Sequence, residues 1–163
     1  MGTNLASARP RACEVILVGG VIAALLDIAL AMTFWWLYNG ASRLVILQSI
    51  AAGLLGKDSF DGGMGTVALG AFLHVFIACA MAAVYNLGCR RWPALYQRPV
   101  FFGAIYGVLL YLAMTYIVLP LSQAMPLPFI PSWFIASVAS HILFVGIPIA
   151  LVARWSAARG AAT

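Results

Sequence analysis

The chain has 163 residues, 64% of them hydrophobic and only 8% charged, with a mean hydropathy of +1.03. A soluble domain carries about a quarter charged residues; this composition therefore excludes one and defines an integral membrane protein, since lipid accepts an apolar exterior when every backbone donor is satisfied within a helix or closed barrel. The net charge of +5 does not mark a nucleic-acid binder, because the Lys and Arg lie between and beyond the apolar runs, where they set topology.

The apolar runs are long and do not alternate, which excludes a β-barrel. The expected fold is all-α, a bundle of four transmembrane helices forming one membrane domain over 1–163.

After a short polar start with Arg9 and Arg11, the run from Glu14 to Tyr38 reads as a first span, closed by the aromatic cluster FWWLY at the interface. Ala29-Leu30-Ala31 resembles a signal-peptidase site, but the apolar stretch holds Asp27 and continues through Trp36, as a retained span does. Residues 41–56 are too short to cross. Leu44, Leu47, Ala51, Leu54 and Leu55 recur at helical spacing with Ser42, Gln48 and Ser49 off that face, so an interfacial or re-entrant helix is expected, stopped by Gly56. Asp58 and Asp61 in KDSFDGG lack the longer ligand series of a calcium loop and read as a solvated, helix-capping turn.

A second span is expected over 64–87, followed by the basic connection GCRRWPALYQRP. Pro99 suits the first turn of a third span running to Leu119. Four prolines in PLSQAMPLPFIPS then require an extended loop, ended by Ser132 as N-cap of a fourth span to about Ala153, which Pro148 should kink. Four crossings put Arg9, Arg11, Arg90, Arg91, Arg98, Arg154 and Arg159 on one side and only Arg43 and Lys57 on the other, so both termini are expected in the cytoplasm. Cys13 and Cys89 fall at cytoplasmic ends and Cys79 within lipid, so no disulfide is expected.

Counting inward at about 1.5 Å per residue puts Asp27 about 16 Å, His74 about 15 Å and His141 about 14 Å from the outer ends of their spans. In a core about 30 Å thick all three lie near one plane, where ionisable groups are costly unless they meet one another. Small residues flank them: Gly20, Ala23, Ala24 and Ala31 around Asp27, and Gly70, Ala71, Ala78 and Ala82 around His74. On the third span Gly103 and Gly107 form a GxxxG pair whose face continues to Tyr111, a candidate fourth polar group. Three readings of the cluster are open. It is a structural clamp fixing helix register, with bonds worth about 0.6 to 2 kcal/mol; or a protonation switch or relay, because histidine titrates near neutrality; or a ligand set in which His74 and His141 hold haem b, or a transition metal together with Asp27. No metalloprotease, nucleophile-elbow, P-loop or dinucleotide motif is present, so neither an enzyme nor a required cofactor is expected. The bilayer is the expected partner, with a homo-oligomer if the glycine face points outward.

The segments LHVFIACAMAAVY, RRWPAL, FFGAIYGVLLY, the LPL ending the third span and SHILFVGIPIALVARW resemble the latter part of YagU-like bacterial inner-membrane proteins, over about Met64 to Trp155. That resemblance implies a bacterial inner-membrane location and a link to acid resistance, makes His74 and His141 the best-corresponding positions, and supplies no catalytic residue. Small multidrug exporters also have four spans and a carboxylate in the first. The short helix, the proline-rich loop and the two central His have no counterpart there, which leaves proton-coupled export as a variant reading.

Overall fold

The computed structural model describes residues 9–160, all of whose regular structure is helical. Its elements are α1 (Glu14–Asn39), α2 (Arg43–Leu55), α3 (Gly63–Arg91), the short α4 (Ala94–Gln97), α5 (Pro99–Leu121) and α6 (Pro131–Gly160). Four of them, α1, α3, α5 and α6, are long and apolar enough to cross a membrane. Leu25, Phe72, Val84, Phe101, Leu109 and Ile135 cover their outer surfaces and are exposed, the inverse of a soluble bundle and the arrangement that lipid requires.

Helix α1 is central, packing against α3 on one side and α6 on the other, while α6 also packs along α5. Small residues set these approaches. A methyl group built on Gly20 would come within 2.7 Å of the Cys79 Cα, so the α1 and α3 backbones touch there. Ala23, Ala24, Ala78, Ala82, Ala150 and Ala153 are buried at the same interfaces. Helices α3 and α5 meet through side chains: the Tyr106 hydroxyl donates to the Met81 carbonyl at 2.7 Å, and its ring lies 4.9 Å from that of Tyr85.

The expected helix between the first two spans is present, with its leucines outward and its small and amide side chains inward. Leu44, Leu54 and Leu55 point away from the protein, whereas Ile46, Gln48, Ala51 and Ala52 are buried. In lipid the leucines lose nothing by facing outward, so the amide takes the protein side. Gln48 Nε2 donates to the carbonyls of Phe60 and Gly63 and to Thr66 Oγ1 at 3.3 to 3.4 Å, and Ser59 Oγ donates to the Gln48 carbonyl at 2.9 Å. These bonds fix the turn Gly56–Phe60, and Gly62, not an Asp side chain, occupies the N-cap of α3. Gly56 ends α2 at φ +60°.

Prolines shape the other two spans. The fourth begins at Pro131 with Ile130 as cap, so Ser132 lies inside the first turn and does not cap it. Pro120 and Pro148 both sit two residues beyond a π-helical segment, Met114–Val118 and His141–Gly146 respectively. A proline lacks the N–H of the helical ladder and crowds the carbonyl four residues back; a wider turn ahead of each one accommodates both defects. One end of the bundle is basic. There Arg11 N–H donates to Ser156 Oγ at 2.8 Å and Arg154 Nη1 donates to the Gln97 carbonyl at 3.0 Å. At the other end Trp133 packs on Phe34 and Trp35, with centroids 5.0 and 5.2 Å away, as an interfacial aromatic cluster.

Candidate functional site

Asp27 lies twelve residues from the Asn39 end of α1, about 18 Å at helical rise. Its neighbours Ala23 and Ala24 are buried and give α3 and α6 room to approach. The two carboxylate oxygens have different partners. Ser140, only 2% exposed, donates its hydroxyl to Oδ1 at 2.5 Å, and His74 Nε2 stands 3.9 Å from Oδ2. The imidazole itself bonds to the Ala24 carbonyl at 2.9 Å. Three spans thus converge on one carboxylate: α1 contributes Asp27, α3 contributes His74 and α6 contributes Ser140.

The hydrogen bonding fixes the His74 tautomer. A carbonyl can only accept, so Nε2 carries the hydrogen. Nδ1 is therefore the nitrogen free to take up a proton, and uptake places a cation beside Asp27. The Asp27 and His74 side chains are 23% and 18% exposed in the isolated chain.

The structure sets His141 apart from this junction. Its Nδ1 donates to the Ser137 carbonyl at 2.8 Å, and its ring meets Tyr111 edge-on at 5.7 Å; among the described residues it forms no ion pair with Asp27. Tyr111 also packs on Phe134, at 5.8 Å, and contributes a ring to this region rather than a hydroxyl to the carboxylate. His74 and His141 face different neighbours, and among the described residues no three His, Cys, Asp or Glu side chains converge as a metal set would.

The glycines lie inside the chain. Gly103 meets Gly146 and Ile147 of α6, Gly107 meets His141 and Ile142, and Gly70 abuts the Leu47 carbonyl of α2. The GxxxG face is consumed by the α5–α6 contact and is not an outward dimerisation face. Ser140 is the member of this junction that motif reading does not single out. Its signal was small: a hydroxyl at mid-span depth, one residue before a histidine.

Comparison with known family models, curated proteins and solved structures finds no match to this chain. What can be said of its class rests on the fold and the junction: a multi-pass helical membrane protein with a carboxylate, an imidazole and a hydroxyl meeting near the middle of three spans.

Proposed function

We propose that the chain is a proton-responsive membrane protein in which the Asp27–His74 pair changes charge with pH and Ser140 couples that change to the fourth span. The observation that carries the reading is the 3.9 Å separation of His74 Nε2 from Asp27 Oδ2 at mid-span, with Nδ1 free to accept a proton. A clamp alone needs no titratable partner, since an amide or hydroxyl serves at lower cost in lipid. A histidine at this depth brings a side chain that gains a charge when Nδ1 takes up a proton. The groups facing Asp27 are His74 from α3 and Ser140 from α6, while His141 is turned to Tyr111 of α5. We further place the protein in the bacterial inner membrane with both termini cytoplasmic. The concentration of arginine at one end supports that orientation, and the resemblance of the last three spans to YagU-like proteins, with their link to acid resistance, points to the same location.

The test is proton flux into liposomes holding the purified protein, followed with an internal pH dye. His74→Gln keeps an N–H donor for the Ala24 carbonyl but cannot titrate, and Asp27→Asn keeps the shape of the carboxylate. Both should abolish flux, or any pH-dependent change in protease sensitivity, while the protein remains folded. If both variants retain wild-type flux and pH response, the reading is wrong and the junction is a clamp.

A further inference from the structure

The basic end of the bundle carries seven arginines, Arg9, Arg11, Arg90, Arg91, Arg98, Arg154 and Arg159, against the single carboxylate of Glu14, which is paired with Arg11 at 3.5 Å. The chain's other acids are elsewhere: Asp27 at mid-span, Asp58 and Asp61 near the opposite end. Two of the arginines flank a groove of about 470 Å³ between the start of α5 and the last turns of α6. Its walls are Val100, Phe101 and Leu151, with Arg98 and Arg154 at the rim. Phe101 is 61% exposed, and the apolar wall continues along the outer surface of the span.

The rim is prepared for an anion. Arg154 is held in place by donating Nη1 to the Gln97 carbonyl at 3.0 Å, which leaves the rest of its five-donor fork available. Arg98 forms no side-chain hydrogen bond or ion pair with another described residue. It occupies the N-cap of α5 without capping it, with Pro99 following in the first turn of the helix. A soluble anion would use the arginines but not the aromatic and aliphatic wall. An occupant with a phosphate at one end and a hydrocarbon chain at the other uses both.

We propose that this groove is a binding site for an anionic phospholipid, its phosphate held between Arg98 and Arg154 and one acyl chain lying against Val100, Phe101 and Leu151. Basic pockets between spans at the membrane surface have the chemistry for such headgroups, and the planar guanidinium suits the phosphate oxygens. The site lies away from the Asp27 junction and does not depend on the function proposed for it.

The test uses the full chain in mild detergent, titrated with phosphatidylglycerol or with phosphatidylcholine of the same chain length, and reads retained lipid by native mass spectrometry. The wild type should retain phosphatidylglycerol in preference to phosphatidylcholine. An arginine in contact with the lipid phosphate is taken as worth about 1 kcal/mol, about fivefold in affinity, so Arg98→Gln with Arg154→Gln should weaken retention about 30-fold. Arg90→Gln with Arg91→Gln removes the same charge from the same end and should change it less than twofold. Because loss of the Arg154–Gln97 bond could unsettle α4, Arg98→Gln alone is the second variant, expected to weaken retention about fivefold with thermal unfolding unchanged. Equal loss in the two double variants would reduce the effect to general surface charge and overturn the site, as would equal retention of the two lipids or an Arg98→Gln protein that binds like wild type.

Discussion

Gly107→Ala tests how α5 and α6 are held together. A methyl group at this position would meet the His141 carbonyl oxygen and lie 2.6 Å from the Ile142 Cα and 2.7 Å from the His141 carbonyl carbon. Carbon atoms in contact rest about 3.5 to 4.0 Å apart, so the shortfall is about 1 Å. All three obstructing atoms are backbone, so no side chain can swing away and the helices must separate. Overpacking of this kind costs about 1 to 3 kcal/mol, and rigid neighbours argue for the upper end. Replacing a helical glycine returns about 0.5 to 1 kcal/mol, leaving a net loss of about 2 kcal/mol. At about 2 to 4 °C per kcal/mol for a chain of this size, unfolding should occur about 4 to 8 °C lower. The matched control is Gly65→Ala in α3, where an added methyl group meets nothing within 4 Å and should raise the midpoint slightly. Both can be followed in detergent with a thiol-reactive fluorophore that reports exposure of the buried Cys89. A Gly107→Ala protein that melts at or above the wild type would refute the close α5–α6 contact.

Ser140→Ala should lower stability by about 1 kcal/mol, and a double-mutant cycle with Asp27→Asn should give a coupling of about 0.6 to 1.7 kcal/mol, the range for bonds between membrane helices; strictly additive effects would mean that the two side chains are not bonded. His74→Ala should cost about 1 kcal/mol through loss of the bond to the Ala24 carbonyl, and His74→Gln less, because the amide restores a donor. If glutamine unfolds no higher than alanine, the assignment of hydrogen to Nε2 is wrong. Gln48→Ala removes an amide whose two hydrogens are shared among three acceptors and should cost about 1 to 3 kcal/mol. It should also speed trypsin cleavage at Lys57, and unchanged cleavage would show that the amide does not anchor that turn.

The spans were legible in the sequence because span formation depends on one scalar, apolarity summed over about 20 residues, and the expected ranges differ from the helices mainly at their ends. Azimuth was less legible. The pattern of Leu44, Leu47, Leu54 and Leu55 marks the apolar face of an interfacial or re-entrant helix but does not say which way it turns, because lipid is as apolar as leucine. Gln48 had the stronger claim on the interior, since in lipid only other protein groups could satisfy its amide. Asp27 and His74 were found by depth alone, because ionisable side chains at mid-span are rare enough to single out. A serine is not, so Ser140 was passed over.

The choice between Ser140 and His141 shows where depth counting ends. The two residues differ by about 1.5 Å in height, less than the uncertainty of any span boundary, so height cannot say which one meets Asp27. They differ by about 100° around the helix axis, and that angle settles it: Ser140 turns toward α1 and His141 toward Tyr111 on α5. The angle is set from the α5 side, where Gly107 receives the backbone at His141 and Ile142 and Gly103 receives it at Gly146 and Ile147. Directly after Ser140 the helix widens into the π segment His141–Gly146, so faces counted at 3.6 residues per turn from the far end of α6 do not carry through to this point. Pro148 and the glycine contacts thereby decide which polar side chain reaches the carboxylate. A change at Gly107, which touches neither Asp27 nor His74, should disturb the junction by rotating Ser140 away from it.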